Sequence, residues 1–194
     1  MKVLIATEKP FAKVAVEGIK KELQEANFEV ALLEKYSAKT ELLDAVKDAN
    51  AIIIRSDIVD KEVLNAAKEL KLVVRAGAGY DNVDLSEASD KGVCVMNTPG
   101  QNSNAVAELV FGMLIMAARN NYNGTAGIEL KGKKIGIHAC GHVGRNVVRL
   151  ARGFEMDIYA FDPFANGEEM KKEGVTMVNS VEELYSTCNF ISLH

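Results

Sequence analysis

Apolar residues fall in short uninterrupted runs, separated by longer stretches of mixed character. Such runs stand at 3–6, 30–33, 51–54, 72–74 and 93–96. Each is too short for an ordinary helix and reads as a strand buried on both faces. Between them the apolar period lengthens to three and four. Phe11, Val14, Ala15, Gly18, Ile19 and Leu23 predict one helix face, and Val63, Leu64, Ala67 and Leu70 another. Further helices are expected over 41–49 and 84–90. The same alternation returns with strands at 135–138, 158–161, 175–178 and 190–193. A helix carrying Val143, Val147, Val148, Ala151 and Phe154 on one face lies between the first two of these, and shorter helices precede 175 and follow 180. Strands that alternate with amphipathic helices predict parallel sheets with helices on both faces.

One segment departs from this rhythm. From Asn102 to about residue 120 the chain has a helical pattern that is apolar nearly all round, through Ala105, Val106, Leu109, Val110, Met113, Leu114, Ile115, Met116 and Ala117. Asn102 or Ser103 can cap it. Such a helix is expected to be covered on more than one side, joining two domains and facing a second copy of the chain. Residues 121–127 are a polar, glycine-bearing link; the sequon Asn123-Gly124-Thr125 within it reads as a loop.

Residues 134–162 carry the clearest chemistry. The strand 135–138 runs into Ala139-Cys140-Gly141-His142-Val143-Gly144, a helix follows, and a second strand stops on Asp162. This is the order of a dinucleotide-binding βαβ unit. Gly141 lets the backbone approach a pyrophosphate, Gly144 lets the helix pack against the strand, and the free amides of the helix N-terminus face the anion. Asp162, eighteen residues past Gly144, can accept hydrogen bonds from the adenosine ribose hydroxyls and would repel a 2′-phosphate, so NAD is favoured over NADP. Ala139 stands where the first glycine of the fingerprint is usual. Cys140, beside a helix N-terminus, reads either as an oxidisable thiol or as a small filler.

Composition narrows the classes. A chain of 194 residues, 48% hydrophobic and 26% charged, has the make-up of one or two globular domains. The net charge of −4 argues against nucleic acid or an anionic membrane as partner. The N-terminal apolar run is shorter than a signal peptide, and none approaches the about eighteen apolar residues of a membrane span. A cytoplasmic protein is the expectation. Cys94, Cys140 and Cys188 have neither CxxC spacing nor a nearby histidine pattern, so neither metal nor disulfide framework is expected.

Ligands of parallel sheets sit beyond the carboxyl ends of the strands, which singles out Arg55-Ser56, the stretch Arg75-Ala76-Gly77-Ala78-Gly79, and Asn97-Thr98-Pro99-Gly100. Two arginines at neighbouring strand ends can receive a carboxylate or phosphate through the guanidinium fork, with amides beside the glycines free for the same anion. Surface ion pairs are the alternative reading.

The segments IIIRSD (52–57), VVRAGAGYDNVDL (73–85), VMNTPGQNSNAVAELVFGM (95–113) and the nucleotide stretch ending in FDP together resemble the D-2-hydroxyacid dehydrogenase family, most closely its phosphoglycerate branch. The resemblance implies an α/β protein: a flavodoxin-like parallel-sheet substrate domain over 1–98, then an incomplete Rossmann NAD-binding domain over 99–194. It implies NAD-linked oxidation of a small anionic D-2-hydroxy acid to the 2-keto acid. In the phosphoglycerate branch the product is 3-phosphohydroxypyruvate, at the head of serine synthesis, and a homodimer is expected. Carried over by position, Arg55, Arg75, the Ala76-Gly77 backbone and Asn102 hold the substrate. Ala78 approaches the nicotinamide, His142 and Val143 lie over the pyrophosphate with Gly141 and Gly144, Asp162 takes the ribose, and His194 lies near the adenosine.

Departures from the family pattern bear on each role. His142 stands where arginine is frequent, a loss of charge that Arg145 is positioned to offset, and Asp57 falls where some relatives carry a second basic residue. None of His138, His142 and His194 matches the family's acid–base histidine, so no catalytic residue is assigned in this chain; the arginine and the histidine–glutamate pair lie beyond the fourth nucleotide-domain strand in the family. Three readings stay open: the phosphoglycerate enzyme represented by its N-terminal portion, a dehydrogenase of another D-2-hydroxy acid such as glycerate or lactate, and a non-catalytic NAD-binding or dimerising module.

Overall fold

A computed structural model describes all residues from 1 to 194. The short apolar runs form strands and the longer-period stretches helices, in the order β1 (Lys2–Thr7), α1 (Lys13–Glu25), β2 (Glu29–Glu34), α2 (Lys39–Ala45), β3 (Ala51–Ile54), α3 (Lys61–Ala66), β4 (Leu72–Arg75), α4 (Leu85–Asp90) and β5 (Cys94–Asn97). The chain continues through α5 (Ser103–Ala118), a 3-10 turn (Asn120–Tyr122), β6 (Lys134–His138), α6 (His142–Gly153), β7 (Asp157–Phe161), α7 (Gly167–Lys172), β8 (Val175–Met177), α8 (Val181–Thr187) and β9 (Phe190–Leu193). Side-chain caps fix where several helices begin. Asp60 accepts from the Glu62 and Val63 amides, Asp84 from the Glu87 amide, and Ser180 from the Glu183 amide. Each satisfies amides that the first turn leaves without an intrahelical partner.

The chain forms two compact units, Met1–Pro99 and Gly100–His194. In the first, a five-stranded all-parallel sheet runs β2-β1-β3-β4-β5, which is the flavodoxin-like order. Leu4, Ala6, Ile52, Ile54 and Val73 on the strands meet Leu42, Val46, Val63 and Leu64 on the helices in one core. Removing each large aliphatic side chain from water contributes about 1.5–3 kcal/mol. In the second unit a four-stranded parallel sheet runs β8-β7-β6-β9, the first four places of the dinucleotide-binding order 3-2-1-4-5-6. Its core joins Ile135, Ile137, Ile158 and Ala160 to Val147, Val148 and Ala151 of α6, and to Ala107 and Phe111 of α5. Phe111 stacks on Phe154 with ring centroids 4.8 Å apart.

Two packing expectations need correction. On α1 the residue that becomes buried is Val16; Val14 is 77% exposed and Ala15 is exposed too. The helix begins only at Lys13, so Phe11 lies before it and the buried stripe is rotated relative to the pattern counted from Phe11. At the start of α5, neither Asn102 nor Ser103 supplies a side-chain cap. Asn102 occupies the N-cap position without bonding an amide, and the Ser103 hydroxyl donates to the Gly100 carbonyl at 2.6 Å. No helix is long and apolar enough to cross a membrane.

Candidate functional site

The nucleotide turn lies wholly within the second unit. β6 delivers the chain at its carboxyl end, and Ala139 turns it sharply with φ of +77°. That left-handed conformation favours glycine, and the Ala139 methyl makes it costly. The conformation is held from both sides: the Ala139 amide donates to the Phe161 carbonyl at 2.9 Å, and the Cys140 amide to Asp162 Oδ2 at 2.7 Å. Gly141 is the N-cap of α6. The first bond into the helix runs from the Arg145 amide to the Gly141 carbonyl at 3.0 Å, so the amides before Arg145 are not used by the helix.

The two glycines have different tasks. A Cβ on Gly144 would collide with the Ala139 carbonyl oxygen and come within 3.3 Å of Ile137 Cγ2, so this glycine is required by close helix–strand packing. A Cβ on Gly141 would meet nothing within 4 Å. Its backbone is extended and imposes no demand for glycine, so the space in front of the helix N-terminus is open for a ligand's approach. His142 is exposed at the first position of α6, and its ring lies against Gly100, where a Cβ would come within 3.3 Å of the imidazole.

Asp162, just past the end of β7, is half-buried and receives two amides, Cys140 on Oδ2 and Phe164 on Oδ1 at 2.8 Å. The Cys140 amide, then that of Phe164, holds its carboxyl below the ordinary aspartate range. Each carboxylate oxygen keeps a lone pair for a further donor. Burial, and secondarily Asp162, pushes the Cys140 thiol up to about 11; at 4% exposure it is a filler, not a reactive thiol. Arg145 is already engaged, with Glu169 at 3.4 Å and Glu173 at 3.3 Å, so its charge is shared with α7 and does not replace the arginine missing at position 142. His194 follows β9; its amide donates to the His138 carbonyl at 3.1 Å and its Nε2 lies 2.8 Å from Ser192 Oγ. Val143 is half-buried and packs against the core.

The substrate candidates of the first unit cluster at the adjoining ends of β3 and β4, where Ile54 and Arg75 are register partners. Arg55 is exposed and Arg75 half-buried, and neither enters an ion pair. The Arg75 guanidinium folds back over Gly77 so closely that a Cβ there would collide with Nη1, and Arg75 Nε is buried without a hydrogen-bond partner. Of the amides expected to be free beside Arg75, those of Ala76 and Gly77 are used. Ala76 donates to the Ile54 carbonyl and Gly77 to the Arg75 carbonyl, both at 2.8 Å. The Gly77 bond closes a three-residue turn over Arg75-Ala76-Gly77 and uses that amide's only donor. Ala78 is held by Asn97, whose side-chain amide donates to its carbonyl at 2.7 Å. Asn102, in the second unit, is exposed.

Asp57, marked in the sequence only as an acid where a base is frequent, has a further role beside Arg55. Asp57, 3% exposed, accepts from the Tyr36 hydroxyl at 2.6 Å and the Glu8 amide at 2.8 Å. Its partners are remote along the chain, so no local spacing reveals them. No group of three or more His, Cys, Asp or Glu is placed to hold a metal, and the three cysteines are free.

The family described as D-isomer specific 2-hydroxyacid dehydrogenase, catalytic domain, matches residues 5–190. The chain belongs to that family. Among curated members, the D-3-phosphoglycerate dehydrogenase of Methanocaldococcus jannaschii is 39% identical over 170 residues, covering 80% of this chain and 32% of its own. That of Rattus norvegicus is 39% identical over 189 residues, covering 90% and 35%. The chain thus spans about a third of the length of these relatives. A crystal structure of NAD+-bound 3-phosphoglycerate dehydrogenase from Entamoeba histolytica superposes with a TM-score of 0.92 at 45% identity, over 100% of this chain and 62% of that one. The family's α/β architecture with parallel sheets is the one seen here.

Proposed function

We propose that this chain is the substrate- and NAD-binding part of a dehydrogenase that oxidises D-3-phosphoglycerate to 3-phosphohydroxypyruvate, the entry to serine synthesis. Met1–Pro99 takes the acid and Gly100–His194 the dinucleotide. The observation that carries the reading is the pair of unpaired arginines at the joined ends of β3 and β4. Guanidinium groups without carboxylate partners suit a polyanionic acid, which supplies the acceptors they lack. The orphaned Arg75 Nε is a donor of this kind. The phosphorylated substrate is supported further by the 45% identity to the Entamoeba histolytica enzyme over the full chain.

The turn of the second unit fits NAD. Unused amides lie ahead of Arg145 and open space fronts Gly141, where a pyrophosphate needs them. The remaining lone pairs of Asp162 suit ribose hydroxyls and disfavour a 2′-phosphate. NAD, when bound, supplies the hydride acceptor. Residues of the chain orient and hold: Arg55 and Arg75 anchor the anionic groups, Ala76, Gly77 and Asn102 border the acid, and Ala78 borders the nicotinamide. Gly141, His142, Val143 and Gly144 frame the pyrophosphate, and His194 the adenosine. Loss of the hydroxyl proton needs a base. The His138 Nδ1 is bonded to Tyr185 at 3.0 Å and His194 to Ser192, and we assign neither to that task; these 194 residues bind both ligands without turnover.

Calorimetric titration of the chain with D-3-phosphoglycerate and with D-lactate, before and after Arg55→Ala, tests the substrate. Loss of about tenfold in affinity for the phosphorylated acid alone, the scale of one charged hydrogen bond, is expected. An equal loss for both acids would favour an unphosphorylated substrate, and no binding of either would leave a dinucleotide-binding module. Hydride transfer to NAD by the chain would overturn the assignment of no base.

A further inference from the structure

We propose that Asp57 is a positioning residue for the substrate arginine Arg55; this rests on the role given to Arg55 above. Asp57 is buried beneath an exposed crest made of Arg55 and Ser56. Its carboxylate is bonded only to donors: the Glu8 amide beyond β1 at 2.8 Å, the Tyr36 hydroxyl beyond β2 at 2.6 Å, and the Arg55 amide at 3.3 Å. No cation pairs with it. One acid therefore ties together the segments that leave β1, β2 and β3, and its third bond closes back on the residue that carries the guanidinium.

The other side of the crest is tied as well. Asn82 Nδ2 donates to the Asp57 carbonyl at 2.7 Å and reaches the Arg55 carbonyl at 3.5 Å. The Val59 amide donates to the Asn82 carbonyl and the Asp84 amide to the Val59 carbonyl, both at 2.9 Å, completing a Val59–Val83 bridge. Arg55 thus projects from a backbone held on two flanks. Burying a carboxylate without a counter-ion is costly, and an apolar residue would fill the same volume more cheaply. What an apolar residue does not do is accept three donors at once and fix the Arg55 backbone. Preorganisation of this kind improves ligand affinity because less freedom is lost when the ligand binds.

The test is a double-mutant cycle between Asp57→Asn and Arg55→Ala in the 194-residue chain, read by the dissociation constant for D-3-phosphoglycerate, with NAD affinity measured alongside. Asn keeps the volume of Asp57 but turns one terminal atom into a donor facing a donor. The expected result is about a tenfold weaker affinity for the acid in Asp57→Asn, an unchanged NAD affinity, and less than about a twofold further effect once Arg55 is already Ala. Tyr36→Phe, which removes one of the three donors, should shift affinity in the same direction by a smaller factor. A purely structural role would lower the fraction of chains able to bind, leaving the dissociation constant of the remainder alone. Additive effects, or an Asp57→Asn affinity equal to the parent's, overturn the proposal. If the parent chain binds no acid, the substrate reading fails by itself. The positioning of Arg55 is then judged by 15N relaxation: greater mobility of its backbone amide and Nε–H group in Asp57→Asn sustains it, and unchanged mobility overturns it.

Discussion

Asp162 holds the nucleotide turn closed through the backbone amide of Cys140, which donates to its Oδ2 at 2.7 Å. The acid proposed above to take a ribose therefore has a structural task of its own, and the two tasks separate experimentally. Because its folded pKa is depressed, the stability it contributes is whole above the ordinary aspartate value of about 3.9 and is lost as pH falls through the lower folded value. Urea midpoints measured from pH 7 downward should fall in that acid range, with a shallower fall in Asp162→Asn. The same variant should lose discrimination against NADP. A pH profile identical to the parent's would show that the Cys140 bond contributes nothing.

Ala139 and Gly144 predict opposite responses to a single methyl group. Ala139→Gly removes a side chain from a backbone at φ of +77° and should stabilise the unit by about 1 kcal/mol. Gly144→Ala adds a Cβ that meets the Ala139 carbonyl; a rigid backbone atom cannot give way, so a loss of about 1–3 kcal/mol is expected. Thermal or urea unfolding reads both.

The cysteines should differ in reactivity. Cys94 is exposed, Cys188 half-buried, and Cys140 buried with its thiol pushed up to about 11. Alkylation near pH 7.5 followed by peptide mass mapping should label Cys94 first and Cys140 last. Early labelling of Cys140 would mean that the turn opens readily.

On α5, Leu109 and Met113 are each 63% exposed and Met116 48%, and they recur along one side of the helix at helical spacing. We expect a second copy of the chain to cover this stripe. Light scattering should report a dimer, and Leu109→Glu with Met113→Glu a monomer; a monomeric parent would refute the expectation.

Much of the fold was legible because burial and secondary structure leave periodic marks. Parallel strands covered on both faces must be continuously apolar, so runs such as 51–54 and 135–138 announce themselves. Gly144 was legible for the same kind of reason, since close helix–strand packing there excludes a side chain. The face of α1 was not, because a helix's phase depends on where it starts, and no cap marks Lys13. The engaged amides of Ala76 and Gly77 were equally hidden: residue type says where a chain can turn, not which carbonyl its amide meets.

By itself, then, the sequence determined the order of elements, the parallel sheets, the βαβ turn and the two arginines as candidates, all of which are local or periodic properties. Only the tertiary structure decided what joins them. Arg145 is spent on Glu169 and Glu173, Asp162 closes on Cys140, and Asp57 gathers Glu8 and Tyr36 from 49 and 21 residues away. Hydrogen bonds select partners by distance in space, and folding alone brings such residues within reach.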